Sequence, residues 1–509
     1  MEESQAGCCT GKNLIKPGQS TPFPRHTPTT ADGYDVAHVT VDMLPDIALL
    51  EIFDFYLAQA SGHPILQREA WITLVHVCRK WRDIVFGSPR RLNLRLLVTP
   101  WRSVRRMLDI WPPLLIDIWS VSLGIWGNDT IITALEHDDR IRQIELFDYS
   151  SFYMEQALEA MRKPFPALIG LTLEFYDEGA TLPAIPNSLL GESTPHLQSL
   201  RLISIPFPLP ALRKLLLSAA DLVELRIWRM PISWYISPEE MAVCLSALTR
   251  LEEFELGFQT FENLGSQSLS PSTRCVLPAL TSLQFKGVCE YVEDLMAQID
   301  APQLDSLKLF LFDPPVVLDA PQLAQFIGRT PRFKALNESH VLFDGQGIFI
   351  LLPWTLRRGL QIGVLCAPTR QLSILVELCH GTSSFLRTLI PRVKRLYILE
   401  SRSPLLYWRE SVVSSQWLEL LHPFTAVNDL YLSREFAPYI VPVLLWFIKE
   451  GMTELLPALQ NLFSEKLLSL GPVEGSVRQF VARQPSGHRI AVSYWDGGRN
   501  SWLEHEDSF

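Results

Sequence analysis

The sequence predicts an α/β fold, in which a small helical segment is followed by a long α/β solenoid. Three observations lead to this prediction. The chain has 509 residues, which is more than one small hydrophobic core usually contains. A short apolar unit recurs along most of the chain, as it does in proteins built from structural repeats. Two apolar stretches with helical spacing precede the first copy of that unit.

The helical segment is predicted to begin with the stretch VDMLPDIALLEIFDFYLAQ. Pro45 suits the first turn of a helix, and Asp46 follows near the positive end of the helix dipole. Beyond these residues the helix is apolar around most of its circumference, so it cannot be half-exposed in a monomer. Either this helix lies deep in its own domain or a partner covers it.

A second helix is predicted over residues 71–85, in the stretch WITLVHVCRKWRDIVFGSP. Its apolar residues recur at intervals of three and four, and Gly87, Ser88 and Pro89 end it. Two or three helices in about 60 residues make a very small core. So much apolar surface on so little protein favours the interpretation that another protein covers it.

The repeated unit has the pattern apolar-x-x-apolar-x-apolar, which predicts a short strand with one buried face. Copies start at Ile141, Leu168, Leu197, Leu222, Leu251, Leu280 and Leu304, and later at Val393 and Val427, with a weaker copy at Phe333. The first seven start roughly 24 to 29 residues apart, which suits a solenoid of strand-plus-helix repeats. Between about residues 337 and 390 the unit fades, and the sequence does not place elements there.

Helices are expected between these strands. In the stretch SPEEMAVCLSAL, Ser237 is placed to cap a helix and Pro238 to occupy its first position. Glu240 stands where it completes a capping box with Ser237. The sequence therefore predicts a helix directly after the strand that starts near Leu222.

The charge pattern limits the classes of partner. The net charge is −10, which argues against general nucleic-acid binding by the whole protein. Within residues 79–106, however, nine Lys or Arg residues are accompanied by a single acid, Asp83. A nucleic-acid patch and a merely solvated helix face are alternatives, but steering toward an acidic protein surface fits the pattern better.

The sequence indicates neither a membrane-spanning segment nor a secretory signal peptide. The longest uncharged apolar run near the C-terminus, residues 439–448, is too short to span a bilayer. The N-terminal residues MEESQAG lack the apolar segment of a signal peptide. The sequence therefore predicts a cytoplasmic or nuclear protein with no membrane and no nucleic-acid partner.

The motifs that usually carry chemistry are not found in the sequence. The eight cysteines are scattered and none forms a C-x-x-C pair, so neither a zinc site nor a disulfide framework is predicted. The chain also lacks the glycine-rich loops of nucleotide-binding proteins and the G-x-S-x-G motif of hydrolases. No metal, cofactor or catalytic residue is expected, and the protein is predicted not to be an enzyme.

The stretches MLPDIALLEIFDFYL and LVHVCRKWRDIVFGSP together resemble the F-box motif, over roughly residues 40 to 95. One departure is the longer stretch between them, AQASGHPILQREAWITL. The resemblance implies docking on the Skp-type adaptor, and through it on the cullin, of an SCF (Skp–cullin–F-box) ubiquitin ligase. It assigns adaptor binding to Leu44, Pro45, Ile47, Ile52, Phe53, Leu57, Val77, Cys78 and Trp81. The main contacts expected are Leu44, Pro45, Ile52 and Phe53, with Trp81 beneath them or at the interface edge.

The repeats resemble irregular leucine-rich repeats, and the whole chain resembles the F-box proteins of mushroom-forming fungi. This resemblance implies that the repeats bind a protein substrate. On each strand the residues between the core apolars point away from the core. They form the predicted substrate-binding set, which is Arg201, Arg226, Trp228, Glu255, Gln284, Lys286, Lys308, Phe310, Tyr397 and Tyr431.

Four regions are predicted: a disordered tail at residues 1–38, an F-box helical domain at 39–98, a leucine-rich-repeat-like α/β solenoid at 99–500 and a tail at 501–509. The predicted function is the substrate-recognition subunit of an SCF-type ubiquitin ligase. One alternative is a non-catalytic repeat scaffold that uses the F-box for regulation without ubiquitin transfer. Another is a divergent hydrolase hidden in the solenoid.

Overall fold

The structure is a computed structural model that describes most of the chain between residues 41 and 495. The described residues are 41–59, 64–100, 103–121, 128–147, 151–175, 185–231, 234–259, 274–312, 320–355, 358–380, 386–400, 414–449, 455–465 and 490–495. The two predicted tails, at residues 1–38 and 501–509, lie outside them.

Three helices form the N-terminal segment: α1 (Asp46–Gln59), α2 (Pro64–Val75) and α3 (Arg79–Gly87). The single helix predicted over residues 71–85 is therefore wrong, because the helical conformation is interrupted between α2 and α3. Cys78 is extended, with φ −156°, and its Sγ accepts a hydrogen bond from the Trp81 backbone N–H at 3.5 Å. An extended residue cannot continue a helix, so Cys78 separates α2, which ends at Val75, from α3, whose N-terminus it caps.

The strands follow in the order β1 (Arg95–Val98), β2 (Leu115–Val121), β3 (Ile141–Phe147), β4 (Gly170–Glu174), β5 (Ser199–Ile203), β6 (Glu224–Met230), β7 (Glu253–Phe258), β8 (Cys275–Val276), β9 (Ser282–Gly287), β10 (Ile299–Asp300), β11 (Ser306–Phe312), β12 (Glu338–Asp344), β13 (Gly347–Thr355), β14 (Arg358–Leu365), β15 (Arg395–Glu400), β16 (Asp429–Leu432), β17 (Asn461–Glu465) and β18 (Ala491–Trp495). Within the described residues, all but β8 and β10 join one sheet. Each predicted repeat unit except the weaker copy at Phe333 overlaps one of these strands, which confirms the α/β solenoid. The copy at Phe333 is wrong, because it falls on a 3-10 helix (Pro331–Ala335) and reaches β12 only at Glu338.

The helices between the strands are α4 (Val104–Ile110), α5 (Asn128–Leu135), α6 (Ser151–Ala160), α7 (Leu209–Ser218), α8 (Pro238–Leu245), α9 (Cys289–Gln298), α10 (Pro321–Arg329), α11 (Gln371–His380), α12 (Leu386–Leu389), α13 (Ser414–Leu421) and α14 (Ala437–Lys449). The capping box predicted at the start of α8 is confirmed. The Ser237 hydroxyl accepts from the Glu240 backbone N–H at 3.2 Å, and the Glu240 carboxylate accepts from the Ser237 backbone N–H at 3.4 Å.

The order of the strands in the sheet is reversed once. β11 pairs with β14 rather than with β12, and β12 lies two positions further on, beside β15. β13 runs antiparallel to both β12 and β14, whereas β11 with β14 and β12 with β15 are parallel pairs. This antiparallel meander carries nearly continuous apolar residues on β13 and β14, so the repeat unit fades here in the sequence.

One continuous hydrophobic core runs from Leu49 in α1 to Leu462 in β17. Alternate strand residues enter this core against the helices, for example Leu225 and Ile227, while Arg226 between them points to the opposite side. We call that opposite side the open face. None of the described helices is long and apolar enough to cross a membrane.

The N-terminal helices pack directly on the start of the sheet. Trp71 in α2 is buried, and its indole N–H donates to the backbone oxygen of Arg95 in β1 at 3.0 Å. Its ring also meets that of Trp111 at 5.2 Å between centroids. The predicted domain boundary between residues 98 and 99 falls at the end of β1, which already pairs with β2, and the division into domains stays a prediction.

Candidate interaction surfaces

One side of α1 is apolar and faces solvent. Ile52, Phe55 and Tyr56 are exposed and stand at i, i+3 and i+4, and exposed Pro45 continues the same side toward the N-terminus. We call these four residues the α1 apolar face. Phe55 is 66% exposed. A chain that buries most of its large apolar residues leaves this group exposed, which makes it a candidate interaction surface.

The predicted adaptor-binding residues divide between this surface and the core. Pro45, Ile47, Ile52 and Val77 are exposed, while Leu44, Leu57, Cys78 and Trp81 are half-buried. The expectation that Phe53 is a main contact is wrong, because its side chain is 0% exposed. The Trp81 ring is half-buried and packs on Phe53 at 4.8 Å between centroids.

Two exposed aromatic residues of α1 were missed by the sequence analysis. Phe55 and Tyr56 follow Ile52 by three and four residues, so helical spacing alone would have aligned them with it. Since α1 is apolar around most of its circumference, its sequence pattern did not show which side packs inward. The contact with α3 decides this, because it places Phe53 inside.

Two basic residues of α3, Lys80 and Arg82, tie the three N-terminal helices together. The Lys80 ammonium in α3 donates to the backbone oxygen of Leu44 at 3.0 Å, directly before α1. Arg82 donates through Nε to the backbone oxygen of Val75 at 3.1 Å, at the end of α2. Both side chains satisfy carbonyls near helix ends, so the steering role predicted for this stretch is not needed to explain them.

Arg91 extends the same bracing to the middle of α1. Its guanidinium forms an ion pair with Glu51 and lies 3.6 Å from the carboxylate of Asp54. These charges border the α1 apolar face and keep α1 fixed against the segment that follows α3. They position the surface without covering it.

The second candidate surface is a row of paired residues that crosses the open face. Each residue of the row is paired with the next one on the neighbouring strand, whether the two strands run parallel or antiparallel. We call these residues the central row. They are Thr172, Arg201, Arg226, Glu255, Gln284, Lys308, Gln361, Leu351, His340, Tyr397, Tyr431 and Phe463. Most of the predicted substrate-binding residues stand in this row. The open face therefore brings together residues that lie far apart in the chain.

Three predicted residues lie outside the central row, two residues further along their strands: Trp228, Lys286 and Phe310. Lys286 is half-buried, but Trp228 is 5% and Phe310 1% exposed. The expectation that these two aromatic side chains line an open surface is wrong. Trp228 lies over Gly257, and Phe310 packs in a small cluster with Phe349 and its neighbours.

Aromatic rings stack across four neighbouring strands at the C-terminal part of the central row. The ring centroids of His340 and Tyr397 are 4.3 Å apart, those of Tyr397 and Tyr431 4.2 Å, and those of Tyr431 and Phe463 4.3 Å. Flat rings at paired positions stack because the strand spacing, about 4.8 Å, is close to their contact distance. We call these four rings the aromatic ladder.

Trp495 of β18 closes the edge of this ladder. Its ring meets those of Tyr397 and Tyr431 edge-on at 6.3 Å and 5.8 Å, and its indole N–H donates to the backbone oxygen of Leu432 at 3.2 Å. The sequence analysis missed His340, Phe463 and Trp495. The unit around Phe463 has Ser464 where an apolar residue is expected, which hid the strand.

Ion pairs hold the arginines of the open face. Arg201 Nε lies 2.5 Å from Glu224, Arg226 Nε 2.7 Å from Glu255. Burial raises the pKa of the Glu255 carboxyl, against the opposing effect of the Arg226 guanidinium. Arg226 also lies over the Trp228 ring, 5.7 Å from its centroid. These contacts fix the N-terminal part of the central row as a rigid charged surface.

The aromatic ladder has its own charged support. The His340 ring nitrogen lies 2.7 Å from the Glu338 carboxylate, which Arg395 contacts at 2.9 Å on its other oxygen. The hydrogen bond with His340 lowers the pKa of Glu338, with a smaller effect from Arg395. Burial raises the pKa of the Tyr397 hydroxyl far above its ordinary value. Tyr397 therefore stays neutral.

No cluster for metal binding is found in the described part of the chain, where no three His, Cys, Asp or Glu side chains are grouped to hold an ion. The described cysteines are free thiols. Burial raises the pKa of Cys379 to about 12, so its thiol stays protonated and unreactive.

Comparison with known proteins adds little to this description. No family model and no curated protein matches the chain. Among solved structures, the chain is similar to the leucine-rich repeat-containing protein LegL7 from Legionella pneumophila, with 13% sequence identity over 77% of this chain and 99% of that one. The TM-score is 0.26, so nothing about this chain is inferred from that protein.

Proposed function

We propose that this protein is a non-catalytic substrate-recognition subunit of an SCF-type ubiquitin ligase. In this proposal the α1 apolar face docks on the Skp-type adaptor, and the open face of the repeats binds a protein substrate. The protein itself contributes proximity, because holding a substrate beside the transferring enzyme makes the reaction effectively intramolecular.

The observation that carries the proposal is the exposed α1 apolar face within the segment that resembles an F-box. Ile52, Phe55 and Tyr56 on one side of α1, with Pro45 just before the helix, expose apolar surface whose burial by a partner is favourable. The helices beneath them are fixed by Phe53, Trp81 and the bracing residues Lys80 and Arg91. A pre-formed surface of this kind needs little reorganisation on binding.

The open face supports the second half of the proposal. It presents charged and aromatic side chains from many strands on one continuous surface, and Tyr and Arg are the residue types that dominate protein interfaces. Its arginines are already held by ion pairs, and its rings by stacking. Such a surface suits recognition of a protein.

Binding of purified full-length protein to a Skp-type adaptor tests the proposal. Phe55→Ala is expected to weaken the complex at least about tenfold, since truncating an interface anchor often costs about 2 kcal/mol or more. The matched control is Phe152→Ala in α6, because Phe152 is also an exposed phenylalanine, at 60%. It is expected to bind the adaptor as the wild type does.

Two results contradict the proposal. One is the absence of a complex between the wild type and the adaptor at micromolar concentrations. The other is equal binding by the wild type and Phe55→Ala. Co-purification of a cullin with the complex then separates ligase assembly from regulation without ubiquitin transfer.

A further inference from the structure

Two lysines of the open face differ from the arginines on the same face. Arg95, Arg201, Arg226 and Arg395 each contact a carboxylate from the same or the next strand. Lys286 in β9 and Lys308 in β11 form no ion pair with a carboxylate of the residues that the structure describes. Among the described residues, the face therefore has two cations in its middle with no carboxylate in ion-pair contact.

Lys286 is the more constrained of the two lysines. Its side chain is half-buried, and burial together with the nearby Arg229 guanidinium lowers the pKa of its ammonium group. A partly desolvated cation is stabilised when an anion comes within contact distance. An incoming carboxylate or phosphate therefore gains more here than at a fully solvated lysine.

The two lysines are close enough to share one anionic group. β9 and β11 are neighbours, with Phe310 paired to Lys286 and Lys308 paired to Gln284. Lys286 and Lys308 are thus diagonal neighbours, and their Cα atoms are about 8 Å apart from the strand spacing and the rise per residue. Two flexible side chains from such positions reach a common carboxylate or phosphate between them.

We infer that the open face binds an acidic, extended segment of a protein partner, with one carboxylate or phosphate at Lys286 and Lys308 and an apolar residue on the aromatic ladder. The inference rests on the proposed function, because it takes the repeats to be the partner-binding part of the chain. It adds the chemical class of the segment and the place at which each end of it binds.

The strand order sets the spacing within that segment. From Lys308 the central row passes through Gln361, Leu351 and His340 before it reaches Tyr397 and Tyr431. Four or five strand spacings of about 4.8 Å give about 19 to 24 Å. An extended segment advances about 3.3 Å per residue, so the acid and the apolar residue are separated by about six or seven residues.

Selection from a phage-displayed library of random dodecapeptides on the immobilised full-length protein tests this inference. Enriched peptides are expected to carry Asp or Glu about six or seven residues from a Leu, Phe, Tyr or Trp. For one enriched peptide, Lys286→Gln with Lys308→Gln should weaken binding at least about tenfold, as loss of a close charge pair does. Replacing the peptide's acid by its amide should weaken binding to that variant only slightly further, because the two changes remove the same contact.

The matched control is Lys163→Gln with Lys214→Gln, which removes two exposed lysines beside α6 and in α7. This variant should bind the peptide as the wild type does, whereas Tyr397→Ala with Tyr431→Ala should weaken binding and remove the preference for the apolar residue. Adaptor binding by every variant should be unchanged. Loss of adaptor binding by the wild type itself contradicts the proposed function instead.

Three outcomes overturn the inference: no enriched peptide, enriched peptides without an acid, or equal affinity of the wild type and the Lys286, Lys308 double variant. A fourth is binding of a single-stranded dodecanucleotide at the same lysines as tightly as the peptide, which assigns the site to nucleic acid. None of these results affects adaptor docking, so the two proposals fail separately.

Discussion

Phe53 and Phe55 show how strongly two nearby residues of one helix can differ in burial. They stand two positions apart on α1, yet Phe53 is enclosed beside Trp81 and Phe55 faces solvent. The sequence predicted a helix that needs cover on more than one side. The sequence could not show which of the two rings is buried, because the packing of α3 against α1 decides which side of α1 faces the core.

Alanine substitutions at these two positions are expected to differ in their effect on stability. Phe53→Ala should lower the free energy of unfolding by about 3–5 kcal/mol, since it leaves a cavity in a packed core. Phe55→Ala should change it by less than about 0.5 kcal/mol. Urea denaturation of both variants measures this, and similar losses would show that the side of α1 has been misassigned.

Glu338 is expected to make stability depend on pH in the acidic range. The folded state lowers its pKa, chiefly through His340, below the ordinary value of 4.5. The stabilisation is therefore present above pH 4.5 and is lost as the pH falls through the lowered pKa. Glu338→Gln should show a smaller fall in Tm below that pH than the wild type, whereas Glu159→Gln, at an exposed ion pair in α6, should not.

At the scale of elements, most strands could be predicted and the meander could not. The unit apolar-x-x-apolar-x-apolar marks β3 to β7, β9, β11, β15 and β16, because each has one buried face. β13 loses that period, since apolar residues on both of its faces are buried, as Ile348 and Phe349 are. Residues whose place depends on the meander, such as His340, were therefore missed from the predicted surface.

Gly359, which pairs with Pro353 across the β13–β14 turn, is expected to be intolerant of a side chain. Its φ is +151°, and a Cβ there would lie 2.4 Å from the backbone oxygen of Leu352. Gly359→Ala should lower the free energy of unfolding by about 2–3 kcal/mol. Gly328→Ala in α10 is the control, because a Cβ there meets nothing within 4 Å.

Gly328→Ala should leave stability unchanged or raise it by up to about 1 kcal/mol, as alanine does in a helix. Thermal unfolding of the two variants gives the comparison. A loss of stability in Gly328→Ala equal to that in Gly359→Ala would contradict the geometry of the turn.

At the scale of the whole molecule, the helices α1 to α3 and the sheet share one hydrophobic core. A repeat array is stabilised by contacts between neighbours, so its two ends are the first parts to open. The helical segment covers the N-terminal end through Trp71, which joins α2 to β1. The sequence favoured a separate F-box domain, with a helical cap on the solenoid's N-terminal end as the alternative, and could not decide because the packing depends on contacts distant in the chain.

Trp71→Ala is expected to release the N-terminal helices from the sheet. The change should cost about 3–5 kcal/mol locally, because it removes a buried ring and its hydrogen bond to Arg95. Hydrogen exchange should quicken in α1 to α3 and β1, while β7, β9 and β11 keep their protection. Uniform acceleration along the chain would show instead that the molecule unfolds as one unit.

The reversed strand order imposes a sequence of events on synthesis. In a simple parallel array each new strand adds to the one made just before it. Here β11 leaves the ribosome without its C-terminal neighbour, and β12 arrives with its own neighbour β15 still unmade. β12, β13 and β14 are joined by short local connections and pair antiparallel, so they can assemble among themselves first. We expect the finished meander to dock through β14 and to offer β12 as the template for β15 to β18. Until that docking, the edge of β11 is open to other chains, and this is the stage at which a nascent molecule most needs protection.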